Sequence, residues 1–279
     1  MRNKETEIKK CEALANAIRQ DVLRMTYEKK AGFIGTSFSC AEILAVIFGS
    51  FMKFDVQNPG NDSNDAFILS KGHGASALYA VLAEIGAFAR DRLFAEFNTS
   101  GFNMGVHPKR GSLPGVISSG GSLGQGLGLA CGLALSAGMK GVAKKIFVLL
   151  GDGECNEGAV WESFMLANRF NLDNILAVVD RNKLQSYGHD HEVLNMGDME
   201  AKIKSFGWNA ATVDGHDCGE LYDAISSLLT RRDKPSAIIA NTIKGKGVSV
   251  FEDKVLWHYK WPEIEHMDTA LKELGERHA

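Results

Sequence analysis

Lys145-Ile146-Phe147-Val148-Leu149-Leu150 runs directly into Gly151-Asp152-Gly153-Glu154-Cys155-Asn156-Glu157-Gly158. The first six residues are almost continuously apolar, the pattern of a strand covered on both faces. Glycines on either side of Asp152 then allow a sharp turn that brings backbone N–H groups close to an anion. The helix read over Ala159–Phe170 adds its positive end to the same place. Asn174–Asp180 and Ser236–Asn241 repeat the buried-strand pattern, Asn209–Val213 carries a weaker version, and Ala66–Leu69 is the first strand of the chain. Helical segments at Asp198–Phe206 and Cys218–Thr230 alternate with them.

Towards the amino terminus, residues 5–29 form an amphipathic helix, with Ile8, Cys11, Leu14, Ala15, Ile18, Val22 and Met25 at helical spacing. Ser39–Met52 reads as a second helix, capped by Ser39 with Glu42 three residues on. Ala75–Ile85 and the Gly/Ala-rich Leu123–Ala137 are further helices. Residues 98–121 form a loop too long to be a plain connection, so it is expected to be functional. The sum is an α/β fold: a doubly wound, mainly parallel sheet with helices on both faces. It is read as one domain over 1–279, with an irregular arm after about 242.

Composition narrows the function. The chain has 279 residues, 45% hydrophobic and 23% charged, enough for a filled core and against long disorder. Lys+Arg 31 against Asp+Glu 34 leaves −3, so no basic field exists to attract nucleic acid or a membrane surface. No apolar run reaches the roughly 20 residues of a spanning helix. The start, Met1-Arg2-Asn3-Lys4-Glu5, is not followed by a signal-peptide core. Cys11, Cys40, Cys131, Cys155 and Cys218 are scattered, which points to reduced thiols and a cytoplasmic protein.

In doubly wound sheets ligands sit beyond the carboxyl ends of the strands. Asp152 lies at one such end, and Asp180-Arg181-Asn182-Lys183-Leu184 follows the next strand. A right-handed crossover makes these strands neighbours about 4.8 Å apart. The Asp152 carboxylate, the Asn182 amide oxygen and a backbone carbonyl then form a hard, oxygen-only half-shell suited to Mg²⁺. So few protein ligands need the oxygens of a bound diphosphate to complete the shell. Gly-Asp-Gly alone is more often a plain turn; Asn182 at the matching end of the next strand favours a site. A dinucleotide fingerprint is absent, since Asn156 stands where its third glycine belongs, and Lys244-Gly245-Lys246-Gly247 lacks the hydroxyl of a phosphate loop.

Gly151-Asp152-Gly153 with Asn182 resembles the thiamine-diphosphate motif. The surrounding segments resemble the transketolase family in order: Ser70-Lys71-Gly72-His73-Gly74, Val106-His107-Pro108, Gly121-Ser122-Leu123-Gly124-Gln125-Gly126, Glu157-Gly158, Lys244-Gly245-Lys246-Gly247 and Trp257-His258. The resemblance spans about residues 10–262 and covers the amino-terminal, diphosphate-binding half of a full-length transketolase. It implies Asp152, Asn182 and the Leu184 carbonyl as ligands of Mg²⁺ (or Ca²⁺), with Gly151 at the turn and Gly153 as backbone donor to the diphosphate. Thr36, His73, Lys244 and His258 would line the cofactor. Gly121, Ser122 and Leu123 would pass near its aminopyrimidine, and His107 would touch substrate hydroxyls. Glu157 and Glu162 resemble acidic residues that link two cofactors across an interface. His73, His107, His258 and Glu157 are thus the catalytic set implied, whereas His189, His191, His216, His266 and His278 read as structural or surface residues. Glu154 and Cys155 carry no assigned role.

The resemblance further implies a separate pyrimidine-binding subunit supplying the glutamate that activates the cofactor, in a heterotetramer, acting on sugars or sugar phosphates. The chain alone is then expected to be inactive. Helix Leu123–Ala137 is read as partner interface or core. Departures from the family pattern are Phe33 in place of a histidine, Ile117 in place of a glutamate, and Tyr187-Gly188 in place of Asp-Gly. Two alternatives stay open: a subunit of another thiamine-diphosphate enzyme, of the 2-oxoacid dehydrogenase or deoxyxylulose-phosphate synthase type, and a non-catalytic cofactor-binding regulatory subunit.

Overall fold

The computed structural model describes residues 3–275. His278 lies outside them. Five parallel strands, β1 (Ala66–Leu69), β2 (Ile146–Gly151), β3 (Ile175–Arg181), β4 (Asn209–Asp214) and β5 (Ser236–Asn241), form one sheet in the order β1-β2-β3-β5-β4. The helices are α1 (Lys4–Lys29), α2 (Ile34–Ser39), α3 (Ala41–Val46), α4 (Ala75–Glu84), α5 (Asp91–Glu96), α6 (Gly126–Met139), α7 (Gly158–Arg169), α8 (Asp190–Val193), α9 (Met199–Ser205), α10 (Cys218–Thr230) and α11 (Ile264–Leu274). The doubly wound reading therefore holds, and the named strands are wholly parallel.

Strand side chains alternate between two cores. Phe67, Leu69, Phe147, Leu149, Leu176, Val178 and Ile238 pack with α1, α3, α4 and α10 on one face. Ile68, Ile146, Val148, Leu150, Ala177, Val179 and Ile239 pack with α6, α7 and α9 on the other. With both faces dry, the central strands have no polar side to show, which is why they read as unbroken apolar runs.

Three expectations change. Ser39–Met52 is not one helix: α2 ends at Ser39, α3 begins at Ala41, and a π-helical turn covers Ile47–Phe51. The Ser39 hydroxyl does not cap; it donates to Asp180 Oδ2 at 2.6 Å and to the Thr36 carbonyl. Helix α6 starts at Gly126 rather than Leu123, because residues 121–124 are bend and turn. The arm after 242 is not wholly irregular: α11 follows, its Leu274 packed into the first core.

Candidate active site

The β2 and β3 ends meet as the turn chemistry requires. Gly151 pairs with Asp180, so Asp152 and Asn182 leave neighbouring strands one and two residues further on. The Asp152 carboxylate accepts the Lys183 N–H at 2.6 Å and the Gly153 N–H at 2.8 Å, and Asn182 Oδ1 accepts the Leu184 N–H at 3.1 Å. Both oxygen-bearing side chains are buried and line one cleft of about 540 Å³, its mouth included, with Thr36, Lys71, His73, Leu123, Leu184 and Lys244. A wider hollow at the amino ends of the strands, by Lys53, Lys145 and Asn174, contains none of the expected site residues.

Two cations face this cleft. Lys71 is 3% exposed and paired with the fully buried Asp180, whose carboxylate also accepts the Ser39 and Thr242 hydroxyls. Burial opposes the Lys71 charge, but Asp180 outweighs it and holds the ammonium above the ordinary lysine range. Asp180 is held low in return, Lys71 and the two hydroxyls overriding its burial. Lys244, 1% exposed, donates to the Leu184 carbonyl at 2.5 Å and to His258 Nδ1 at 2.8 Å. An ammonium only donates, so His258 accepts at Nδ1 and keeps its proton on Nε2. Burial pushes the Lys244 pKa down, and burial together with Asp180 pushes Asp152 up. Two glycines make the close packing possible. A Cβ at Gly35 would meet Lys244 Cγ and the Trp257 carbonyl, each at 2.9 Å, and one at Gly72 would lie 2.5 Å from Gly121 N.

Above the cations stand three imidazoles. His73 lies 5.1 Å from His107 and 5.4 Å from His258, centroid to centroid, and the Phe33 ring packs edge-on to His73 at 4.7 Å and beside His107 at 5.3 Å. Burial is the first cause of low pKa in all three: His73 falls to about 4 and His258 to about 3, the latter also repelled by Lys244. At neutral pH the cluster is uncharged, each ring offering one donor and one acceptor.

The remaining expected residues spread around this centre. Gly121 packs on the His107 ring, with a would-be Cβ at 3.5 Å. Ser122 faces the adjoining hollow beside Gln125 and Leu129. Glu157 and Glu162 are exposed and neither lines the cleft; Glu157 lies beside Gly124 of the 121–125 loop. Ile117 and Tyr187 do not line the cleft either, and Tyr187 is largely in solvent. His216, read as structural or surface, joins a buried network: its Nδ1 meets Glu42 at 3.0 Å, and its Nε2 accepts the N–H of Ile243, the residue before Lys244. Sequence reasoning missed Lys71, Glu154 and Gln185 as cleft residues; Lys71 was visible only as part of a motif.

The residues fit a diphosphate. The Thr36 hydroxyl and the Gln185 amide nitrogen are buried without a partner, and both residues line the cleft. Both are donors, as phosphate oxygens require, and they line the cleft together with Lys71 and Lys244. A metal fits only as a shared ion. Among the described residues no three His, Cys, Asp or Glu side chains group as a site, so Asp152 and Asn182 need a carbonyl and ligand oxygens to complete a shell. The Leu184 carbonyl keeps a second lone pair beside the Lys244 bond.

Residues 10–260 match the family model described as transketolase, thiamine diphosphate binding domain. The chain belongs to the transketolase family. It is 37% identical to the 6-deoxy-6-sulfo-D-fructose transketolase subunit of a Clostridium species, over 95% of this chain and 96% of that one. It is 34% identical to one subunit of the apulose-4-phosphate transketolase of Phocaeicola vulgatus, over 93% and 92%. Human transketolase matches at 39% identity over 88% of this chain but 39% of its own length. Among solved structures, the transketolase of Leishmania mexicana superposes with a TM-score of 0.88 at 28% identity, covering 95% of this chain and 41% of that one. This transketolase-family chain thus covers over nine-tenths of the two subunits it resembles and about two-fifths of the length of the human and Leishmania mexicana transketolases.

Proposed function

We propose that the chain is the diphosphate-binding subunit of a two-component transketolase, transferring a two-carbon ketol unit from a ketose or its phosphate to an aldose with a pyrimidine-binding partner. The observation that carries this is the junction of the β2 and β3 ends, where Asp152 and Asn182 face one cleft with two unpartnered buried donors. Asp152, Asn182 and the Leu184 carbonyl would hold Mg²⁺ or Ca²⁺. Thr36, Lys71, Lys244 and Gly153 would bind the diphosphate. Bound thiamine diphosphate would supply the electron sink for breaking the carbon–carbon bond beside a ketose carbonyl. The neutral His73, His107 and His258 would orient substrate hydroxyls and give hydrogen bonds to oxygen as charge develops there.

Exposed apolar Leu129 on α6 and Met165 and Leu166 on the packed neighbour α7 support this face as the one a partner covers. Glu157 and Glu162 would then meet that partner. A heterotetramer would place such active sites between protomers. All five cysteines are free and buried, which supports a reducing, cytoplasmic location. No described helix is long and apolar enough to cross a membrane. Ketol transfer is expected only after mixing with the pyrimidine-binding subunit. Coupled assay of the two components, apart and then mixed, checks this, and turnover by the chain alone would refute it.

Phe33 occupies the N-cap position of α2 with its ring among the imidazoles, and supplies no donor there. The cluster is therefore more apolar than a fourth histidine would make it. Phe33→His is expected to change the rate with xylulose 5-phosphate about tenfold, the worth of one substrate hydrogen bond. An unchanged rate in the assembled enzyme would remove Phe33 from substrate choice.

A further inference from the structure

Glu154 is buried where it lines the cleft beside the Gly151–Gly153 turn, and its carboxylate bonds three segments of the chain at once. Oε1 accepts the Ser70 hydroxyl at 2.5 Å and the Gly124 N–H at 2.9 Å; Oε2 accepts the Gly151 N–H at 3.0 Å. Ser70 Oγ in turn accepts the N–H of Gly126, first residue of α6, at 3.1 Å. One side chain thereby ties the end of β1, the end of β2 and the 121–125 turn, whose Leu123 lines the cleft. The turn itself holds no helix or strand, whereas Gly151 is fixed by β3 pairing.

We propose that Glu154 is a positioning residue: it sets the distance between the Gly151–Gly153 floor and the Gly121–Gln125 wall, and so the fit of the ring portion of the cofactor. This rests on the thiamine-diphosphate reading of the cleft. The chemistry demands a carboxylate, because two backbone N–H groups approach from opposite oxygens. An amide has one oxygen, and its NH₂ cannot accept. In Glu154→Gln the oxygen stays with the strand-held Gly151, and the NH₂ meets the Gly124 N–H. The wall loses its tie while the floor keeps its own.

The test is hydrogen exchange on the full chain, followed by binding of two probes. In Glu154→Gln, exchange across 121–126 is expected to rise about 10- to 100-fold, as for loss of a bond to a charged group, with the β2 and β3 amides unchanged. Magnesium pyrophosphate, which rests on the floor alone, is expected to bind as in wild type, while magnesium thiamine diphosphate weakens about tenfold. Ser70→Ala, a milder change, is expected to speed exchange at Gly126 and leave Gly124 protected. Unaltered exchange at 121–126 in both variants, or equal weakening of both probes, would overturn the positioning role. Failure of wild type to bind thiamine diphosphate would instead refute the cofactor reading, and the exchange result would still decide whether Glu154 holds the wall.

Discussion

Asp152→Asn is expected to lower affinity for thiamine diphosphate in saturating Mg²⁺ by at least about 100-fold, more than the 10- to 100-fold typical of outer-shell changes at metal sites. The substitution removes the one charged ligand of the half-shell and leaves its volume unchanged. Stability should move little, because two effects oppose. The buried carboxylate, pushed up by desolvation and by Asp180, no longer has to be kept charged. Against that, either the Lys183 or the Gly153 N–H now faces an NH₂. Each effect is about 1–3 kcal/mol, so a folded protein that has lost its cofactor is the expected result. Titration calorimetry with a thermal melt on the same sample reads both. Near wild-type affinity would remove Asp152 from the site.

The second large effect is on pH dependence. His73 and His258 have folded pKa values of about 4 and about 3, below the unfolded value of about 6.5. Between those values the unfolded chain binds more protons, so stability rises with pH there and falls as pH drops below about 6.5. Above about 6.5 both states hold neutral imidazoles, and these groups add no slope. With part of each ring reached by water, the pair is expected to contribute about 2 kcal/mol of acid destabilisation, well under the full shift. Asp152 titrates in the same range with the opposite sign: its raised pKa makes stability fall as pH rises through it. The difference between wild type and His73→Asn/His258→Asn isolates the histidines. Denaturant melts of both proteins from pH 7 to pH 4 should show the gap closing at low pH in favour of the double variant. Parallel curves would mean that the cluster carries no such strain.

The elements legible in the sequence are those whose cause is local. β2, β3 and β5 carry near-continuous apolar interiors because both faces are buried, and Cys218–Thr230 and Ser236–Asn241 are readable to the residue. Asp152 and Asn182 can be paired because parallel strands joined by one crossover must bring their ends together. What is not legible depends on partners far off in the chain. Ser39 has the pattern of a cap, yet Asp180, 141 residues away, takes its hydroxyl, and the helix divides there. Lys71 and Asp180 are ordinary charges in sequence and a buried pair only once β1 and β3 flank β2. Glu154 reads as a loop residue because its three partners come from segments up to 84 positions distant. His216 reads as an isolated histidine for the same reason: Glu42 lies 174 residues away.

Titrating the isolated chain with thiamine diphosphate, with Mg²⁺ present and then with the metal chelated, tests the shared diphosphate–metal site most directly. Saturable binding is expected only when metal and diphosphate are both present, with thiamine lacking the diphosphate failing to bind in either condition. Equal affinity with the metal removed, or equal binding of free thiamine, would contradict the reading of Asp152 and Asn182 as joint holders of a metal diphosphate.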